Sequence, residues 1–270
     1  MDIKEINTGG LVLLGCGKMG SALLAGWLRA GVDASSVWVI DPFPSDWLTA
    51  SGVHINEGMP PKPTVLVVAV KPQMMTEALP NVAALGGGNT LILSVAAGTP
   101  IAFFEDILGD GTPIVRTMPN TPAAIGQGIS ALVGNDHVSA AQLKGAETLM
   151  RAVGQTVQLE NEEQMDAVTA VSGSGPAYVF HMIECLAAAG VSQGLSSELS
   201  MELAKATVAG AGALAQQAEE TPDQLRVNVT SPKGTTEAGL AKLMDAKNGL
   251  PGLMKETVAA AADRSRELGK

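Results

Sequence analysis

Three glycines, Gly15, Gly17 and Gly20, stand at G-x-G-x-x-G spacing between the apolar run Leu11–Leu14 and an apolar periodic stretch over residues 19–29. A strand, a glycine turn and a helix in that order suit a dinucleotide pyrophosphate. The first glycine permits the tight turn, the second lets the backbone approach the phosphates, and the third lets the helix lie close on the strand. The free N–H groups at the helix start, with the positive end of its dipole, then face the anion. A turn that only packs a helix on a strand would use the same glycines. Asp41 closes the next apolar run, about twenty residues further on, where an acidic side chain bonds the adenosine ribose of NAD and repels the extra phosphate of NADP. No Lys or Arg lies between Arg29 and Lys62 to balance a 2′-phosphate, although Ser45 is a hydroxyl within reach of one. This favours NADH; the competing reading is that Asp41 only opens the D-P turn of D-P-F-P-S.

Other candidates sit where apolar runs end. Residues 64–70 make the most continuous run and lead into Lys71-Pro72-Gln73. Ligands of open α/β sheets lie beyond the carboxyl ends of the strands, which places Lys71 at a cofactor crevice and Pro72 in the first turn of a helix. A solvated strand-end lysine fits the same position. Asn120 and Thr121, in P-N-T-P-A after the run Ile114–Met118, offer an amide and a hydroxyl to a nicotinamide or a substrate, or else only to their own turn. Two further stretches are read as loops before helices. In V-S-G-S-G-P-A-Y, small and hydroxyl residues precede a helix with Pro176 in its first turn. In T-S-P-K-G-T-T-E, Pro232 and Gly234 shape a turn and Thr235 or Thr236 N-caps a helix starting near Glu237. The N–H groups of such a turn bind a carboxylate well, so the pair suggests a small anionic substrate beside a hydroxyl donor. Each is otherwise a capped helix start and nothing more.

The elements that must position these residues fall into two halves. Strands are expected at 11–14, 37–40, 64–70, 90–96, 114–118, 129–133 and 155–159, with helices at 19–29, 100–108 and 140–153. That is an α/β Rossmann-like domain with a parallel sheet, over residues 1–161. Over residues 162–270 no strand is expected; Ala, Leu, Met and Gly recur at helical spacing, as along 197–217. Gly210 and Gly212 suit a helix only where another backbone packs very close. An Ala-rich helical half with little aromatic mass makes a thin core, which points to an intertwined homodimer.

Composition excludes several classes. The formal charge of −10 and a pI near 4.8 argue against nucleic acid and anionic membrane as partners. Two cysteines, Cys16 and Cys185, show no pairing pattern, which suits a reducing compartment. No secretory signal and no membrane-spanning run is read, so the expected location is the cytoplasm. His54, His137 and His181 are scattered without ligand spacing, and no metal site is expected.

Taken in order, G-C-G-K-M-G, A-V-K-P-Q, S-V-A-A-G, M-P-N-T-P-A, V-S-G-S-G-P-A-Y and S-P-K-G-T-T resemble the pyrroline-5-carboxylate reductase family over nearly the whole chain. The last three motifs are specific to that family. The resemblance implies a Rossmann-like domain, a helical dimerisation domain, an active site at the dimer interface, and dimers that often assemble into decamers. It implies reduction of 1-pyrroline-5-carboxylate to L-proline by NADPH or NADH, the final step of proline biosynthesis. Carried onto this chain, the cofactor side comprises Gly15, Cys16, Gly17, Lys18, Met19 and Gly20, then Asp41, then Ala69, Val70, Lys71 and Pro72, and Asn120. The substrate side comprises Ser231, Lys233, Gly234, Thr235 and Thr236. Backbone N–H groups around residues 234–236 hold the carboxylate and the Thr236 hydroxyl bonds the ring nitrogen. Glu219 matches an acidic residue near the substrate, with Glu220 beside it as a rival for that match.

The chain departs from the family twice. The turn usually reads S-P-G-G, and Lys233 replaces the first glycine, which matters if that position needs a positive φ. The family more often takes NADPH, against the indication of Asp41. The expected chemistry asks little of proton transfer, since a protonated cyclic imine accepts hydride once it is held against the nicotinamide. A 3-hydroxyacid dehydrogenase also joins these two kinds of domain, but its lysine, one helical turn past a glycine motif, is matched here by Val179. A non-catalytic NAD(P)-sensing dimer would have no use for the T-S-P-K-G-T-T turn.

Overall fold

The apolar runs of the first half become strands β1 (Leu11–Leu14), β2 (Val37–Ile40), β3 (His54–Ile55), β4 (Val65–Val68), β5 (Leu91–Ser94), β6 (Ile114–Met118), β7 (Gly128–Gly134) and β8 (Gly154–Gln158). They form one sheet in the order β3-β2-β1-β4-β5-β6-β7-β8. Every pairing is parallel except β6 with β7, where Val115 faces Gly134 and Met118 faces Ala131. The parallel sheet expected from the sequence is thus present, with one antiparallel pair at β6 and β7. The link between β6 and β7 holds only a 3₁₀ turn, Thr121–Ile125, too little for the crossover that a parallel pair requires. The computed structural model describes residues 1–269.

Both faces of the central strands are covered, which is why they read as unbroken apolar runs. Leu11, Leu13, Val65, Val67, Leu91 and Leu93 pack with Leu23 and Trp27 of α2 (Lys18–Arg29) and with Leu149 and Met150 of α6 (Ala140–Arg151). Val12, Leu66, Val68 and Ile92 pack with Met75 of α4 (Met75–Ala78), with Leu79, and with Phe104 and Leu108 of α5 (Ile101–Leu108). Each such side chain contributes roughly 1.5–3 kcal/mol by leaving water. The Trp27 indole N–H, fully buried, donates to Leu149 O at 3.0 Å.

Before β1 lies α1 (Ile3–Gly9), which composition had not revealed; Asp2 and Glu5 close a capping box around its start. A one-turn helix, α3 (Asp46–Thr49), follows β2 and is N-capped by Ser45, whose hydroxyl accepts from Leu48 N. The Ser45 hydroxyl is thereby engaged by the chain itself.

The remaining helices are α7 (Met165–Val168), α8 (Gly175–Ser192), α9 (Ser197–Gln217), α10 (Pro222–Asn228), α11 (Thr235–Leu243) and α12 (Leu250–Leu268). Two compact units divide the chain: Met1–Ser174 together with the last turns from Ala261 on, and Gly175–Ala260. Within the second unit, Gly190 and Ser200 make a close approach of α8 to α9. V-S-G-S-G-P-A-Y, expected to be a loop, is helical: a π turn over Thr169–Gly173 precedes α8. Its glycines and serines disfavour an isolated helix, but Gly173 sits where a Cβ would lie 2.5 Å from Met118 Cε, so packing decides the backbone.

Candidate functional site

The three glycines of the first turn are there for different reasons. Gly15 turns the chain with φ 88°, and its N–H donates to Ile40 O at 2.8 Å. A Cβ on Gly20 would lie 2.4 Å from the Gly15 carbonyl oxygen. A Cβ on Gly17 would meet no protein atom within 4 Å. The fold does not demand a glycine at 17, whereas a pyrophosphate approaching the backbone does. Gly17 is also the N-cap of α2, with no side-chain cap and no acidic residue in the first turn. The first intrahelical bond runs from Ser21 N to Gly17 O, so the N–H groups of Lys18, Met19 and Gly20 have no partner inside the helix. A bare, positively polarised helix start beside an open glycine fits a dinucleotide phosphate.

Asp41 is wired into this turn. Its Oδ2 accepts from Cys16 N at 2.6 Å and its Oδ1 from Phe43 N at 2.8 Å. Asn56, at φ 54°, clasps the Asp41 peptide from both sides: Asp41 N donates to Asn56 Oδ1 and Asn56 Nδ2 donates to Asp41 O. The D-P turn reading is therefore realised, and the carboxylate also braces the glycine turn. Burial, and then the Asp41 charge, push the Cys16 thiol up to about 11, so it stays protonated at neutral pH.

Because β1, β4, β5 and β6 run parallel, the segments after them lie at one edge of the sheet. These carry the glycine turn, Ala69 to Pro72, A-A-G-T-P and P-N-T-P-A. The strand order turns back at β1 and β4, the place where open sheets hold ligands. β4 ends at Val68, leaving Ala69 and Val70 half-buried in the turn; Lys71 is exposed, and Pro72 opens a 3₁₀ turn, Pro72–Met74, rather than an α-helix. Asn120 is buried, and its Oδ1 accepts from Ile129 N at 3.0 Å. The sequence reading did not anticipate Glu162. Its Oε1 accepts from Arg116 Nη1 at 2.6 Å and from Ile101 N at 2.9 Å. It thus caps α5, whose N-cap is a proline with nothing to offer.

In the second unit, α10 ends and Thr230 Oγ1 bonds back to Arg226 O at 2.6 Å. Ser231 to Gly234 then make a turn closed by Gly234 N to Ser231 O at 3.0 Å. Pro232 is its second residue and Lys233, at φ 60°, its third, the type II pattern that favours glycine in the third place. The question posed by Lys233 is settled: the position does take a positive φ, with a lysine in it. Gly234, not either threonine, is the N-cap of α11, so Thr235 and Thr236 are its first two residues, both exposed. The first intrahelical bond is Ala238 N to Gly234 O, which leaves the N–H groups of Thr235, Thr236 and Glu237 without a partner in the helix. Glu219 lies exposed between α9 and α10, next to Glu220.

Residues 162–268 match a family model described as pyrroline-5-carboxylate reductase dimerisation, and residues 11–98 one described as NADP oxidoreductase, coenzyme F420-dependent. A pyrroline-5-carboxylate reductase of Pseudomonas aeruginosa is 40% identical over 98% of both chains. The chain belongs to the pyrroline-5-carboxylate reductase family. A reductase of Methanosarcina acetivorans is 37% identical over 95% of this chain and 97% of its own. Among solved structures, a reductase from Coxiella burnetii superposes with a TM-score of 0.91 at 33% identity, over 97% of this chain and 99% of that one. A Plasmodium falciparum pyrroline carboxylate reductase with NADP bound superposes at 0.86 with 30% identity, over 98% and 100%.

As a reductase of this family, the chain is an NAD(P)H-dependent oxidoreductase, and its predicted residues divide between the two units. Gly15 to Gly20, Asp41, Ala69 to Pro72 and Asn120 belong to the first unit; Ser231 to Thr236 and Glu219 belong to the second. Sequence reasoning missed Asn56, Glu162 and Glu237. Only Glu237 left a signal: it is the third residue of α11, the place from which a glutamate reaches back over a helix start. Among the described residues, no helix is long and apolar enough to cross a membrane.

Proposed function

We propose that this reductase converts 1-pyrroline-5-carboxylate to L-proline, the closing step of proline biosynthesis. What carries the reading is that a family-specific turn, S-P-K-G-T-T, leads into a helix whose first N–H groups are free, in a chain that also holds the open Gly17 turn. A reduced nicotinamide supplies the hydride when bound. Gly15 to Gly20, Ala69 to Pro72 and Asn120 hold that cofactor. Ser231, Lys233 and Gly234 shape the turn that receives the carboxylate, the free N–H groups of Thr235 and Thr236 hold it, the Thr236 hydroxyl meets the ring nitrogen, and Glu219 stands near the ring. Proximity does most of the work, because the protonated imine carbon accepts hydride without help from a strong acid. NADH and NADPH are both proposed as cofactors. Asp41 weights the choice toward NADH, and the NADP-bound relative weights it toward NADPH.

We also infer a homodimer through the helical unit, with a decamer as the higher assembly that the resemblance implies. The two free cysteines, Cys16 and Cys185, fit a cytoplasmic setting. The deciding experiment follows loss of NADH, and separately NADPH, absorbance on adding pyrroline-5-carboxylate. Oxidation is expected, and the ratio of the two efficiencies reports what Asp41 does. Thr236→Ala should lower kcat about 10- to 100-fold, the loss expected for a hydrogen bond to a charged group, while cofactor still binds. No oxidation by protein that binds cofactor overturns the reading, and an unchanged rate removes Thr236 from it.

A further inference from the structure

The turn read as the carboxylate site contains a lysine that its backbone opposes. Lys233 holds φ 60° where a type II turn normally places glycine. Its N–H donates to Glu237 Oε2 at 2.6 Å. The Glu237 carboxylate therefore keeps the turn in shape, but it also places a negative charge in the first turn of α11. There it stands beside the free N–H groups of Thr235 and Thr236, where a second carboxylate would be repelled.

Two cations lie elsewhere around this helix. Lys242 is in its last turn, and Arg226 points a guanidinium N–H at Met244 Sδ, 3.2 Å away. Lys233 is exposed, and among the described residues its ammonium makes no ion pair. It is the charge in the turn itself able to offset Glu237.

We propose that Lys233 is a specificity residue whose ammonium offsets the Glu237 carboxylate and draws an anionic substrate to the turn. A glycine there would relax the backbone and leave Glu237 unopposed. The proposal rests on the turn being the carboxylate site and adds to that reading a charge supplied by a side chain. Exposed charges are screened by salt, so substrate capture should weaken as ionic strength rises.

The test is steady-state kinetics with pyrroline-5-carboxylate at low and high sodium chloride, on the full chain and the variants Lys233→Gly, Lys233→Met and Lys233→Arg. Lys233→Gly and Lys233→Met should raise the substrate KM roughly three- to fivefold at low salt and flatten the salt dependence of kcat/KM. The effect falls on the substrate KM rather than on the cofactor KM, and Lys233→Arg should restore it. Lys233→Gly should also melt higher than the parent, because the positive φ costs glycine nothing. A more stable protein with weaker substrate binding separates charge from folding. Adding Glu237→Gln to Lys233→Met should lower the raised KM again. An active parent with an unchanged KM and salt slope in Lys233→Met overturns the proposal alone. A parent that oxidises no cofactor overturns the underlying reading and this proposal with it.

Discussion

Gly17 and Gly20 lie one helical turn apart and answer to different masters. Gly20 is held by the Gly15 carbonyl, which a Cβ would overlap at 2.4 Å; nothing in the protein constrains the space at Gly17. Gly20→Ala should therefore cost about 1–3 kcal/mol of stability, as overpacking does, measured by urea unfolding. Gly17→Ala should leave the urea midpoint close to the parent's, because an N-cap loss of roughly 0.5–1 kcal/mol is offset by a similar gain from alanine's stiffer unfolded chain, yet weaken NAD(P)H binding at least about tenfold by calorimetry. Equal losses of stability in the two variants would refute the distinction. The glycine spacing was legible in the sequence, and so was the cofactor class. Which glycine the fold itself requires was not, since that depends on how close the Gly15 carbonyl comes to position 20, which folding alone fixes. Asp41 shows the same limit: its place after β2 could be read, but its bonds to Cys16 N and Phe43 N could not.

Among the elements, β2, β6 and α9 fall where the apolar patterns put them, at Val37–Ile40, Ile114–Met118 and Ser197–Gln217. β4 and β5 stop short of the runs 64–70 and 90–96 that announced them. Hydrophobicity marks burial and continues through Ala69 and through Val95 and Ala96, whereas the ladder ends where the backbone leaves the strand direction. β3 has two residues, too few for any periodicity to show. Glu162 was invisible because its partners are remote in sequence: Arg116 on β6, whose side chain is 8% exposed, and the N–H that begins α5. Glu162→Ala strands a buried guanidinium and an amide together. It should cost about 2–4 kcal/mol in urea unfolding, whereas the double change Arg116→Met with Glu162→Leu should recover most of that loss. A double variant no more stable than Glu162→Ala would show that the ion pair is not the source of the cost.

For the molecule as a whole, the decisive contrast is between its two units. The sheet-bearing unit buries large side chains on both faces of its strands. In Gly175–Ala260 the buried hydrophobic residues are Ala187 and Ala204, while Phe180, Met182, Leu186, Leu199, Leu203, Leu214 and Leu253 are exposed. The thin core expected from an alanine-rich, aromatic-poor half is what the structure has. A unit that leaves so much apolar surface in water is expected to cover it with a second copy, in keeping with a match to a dimerisation model over residues 162–268. Sedimentation at micromolar concentration should show a dimer or a larger closed assembly, and a stable monomer would remove that claim.

A core of two alanines also bears on how this enzyme is assayed. If the helical unit completes its interior only by meeting another copy, folding and association are one equilibrium, and dilution acts as a denaturant. Rate per milligram would then depend on the amount of enzyme in the cuvette. At nanomolar protein it would decay as subunits part, and substrate or cofactor present from the start would slow that decay by mass action.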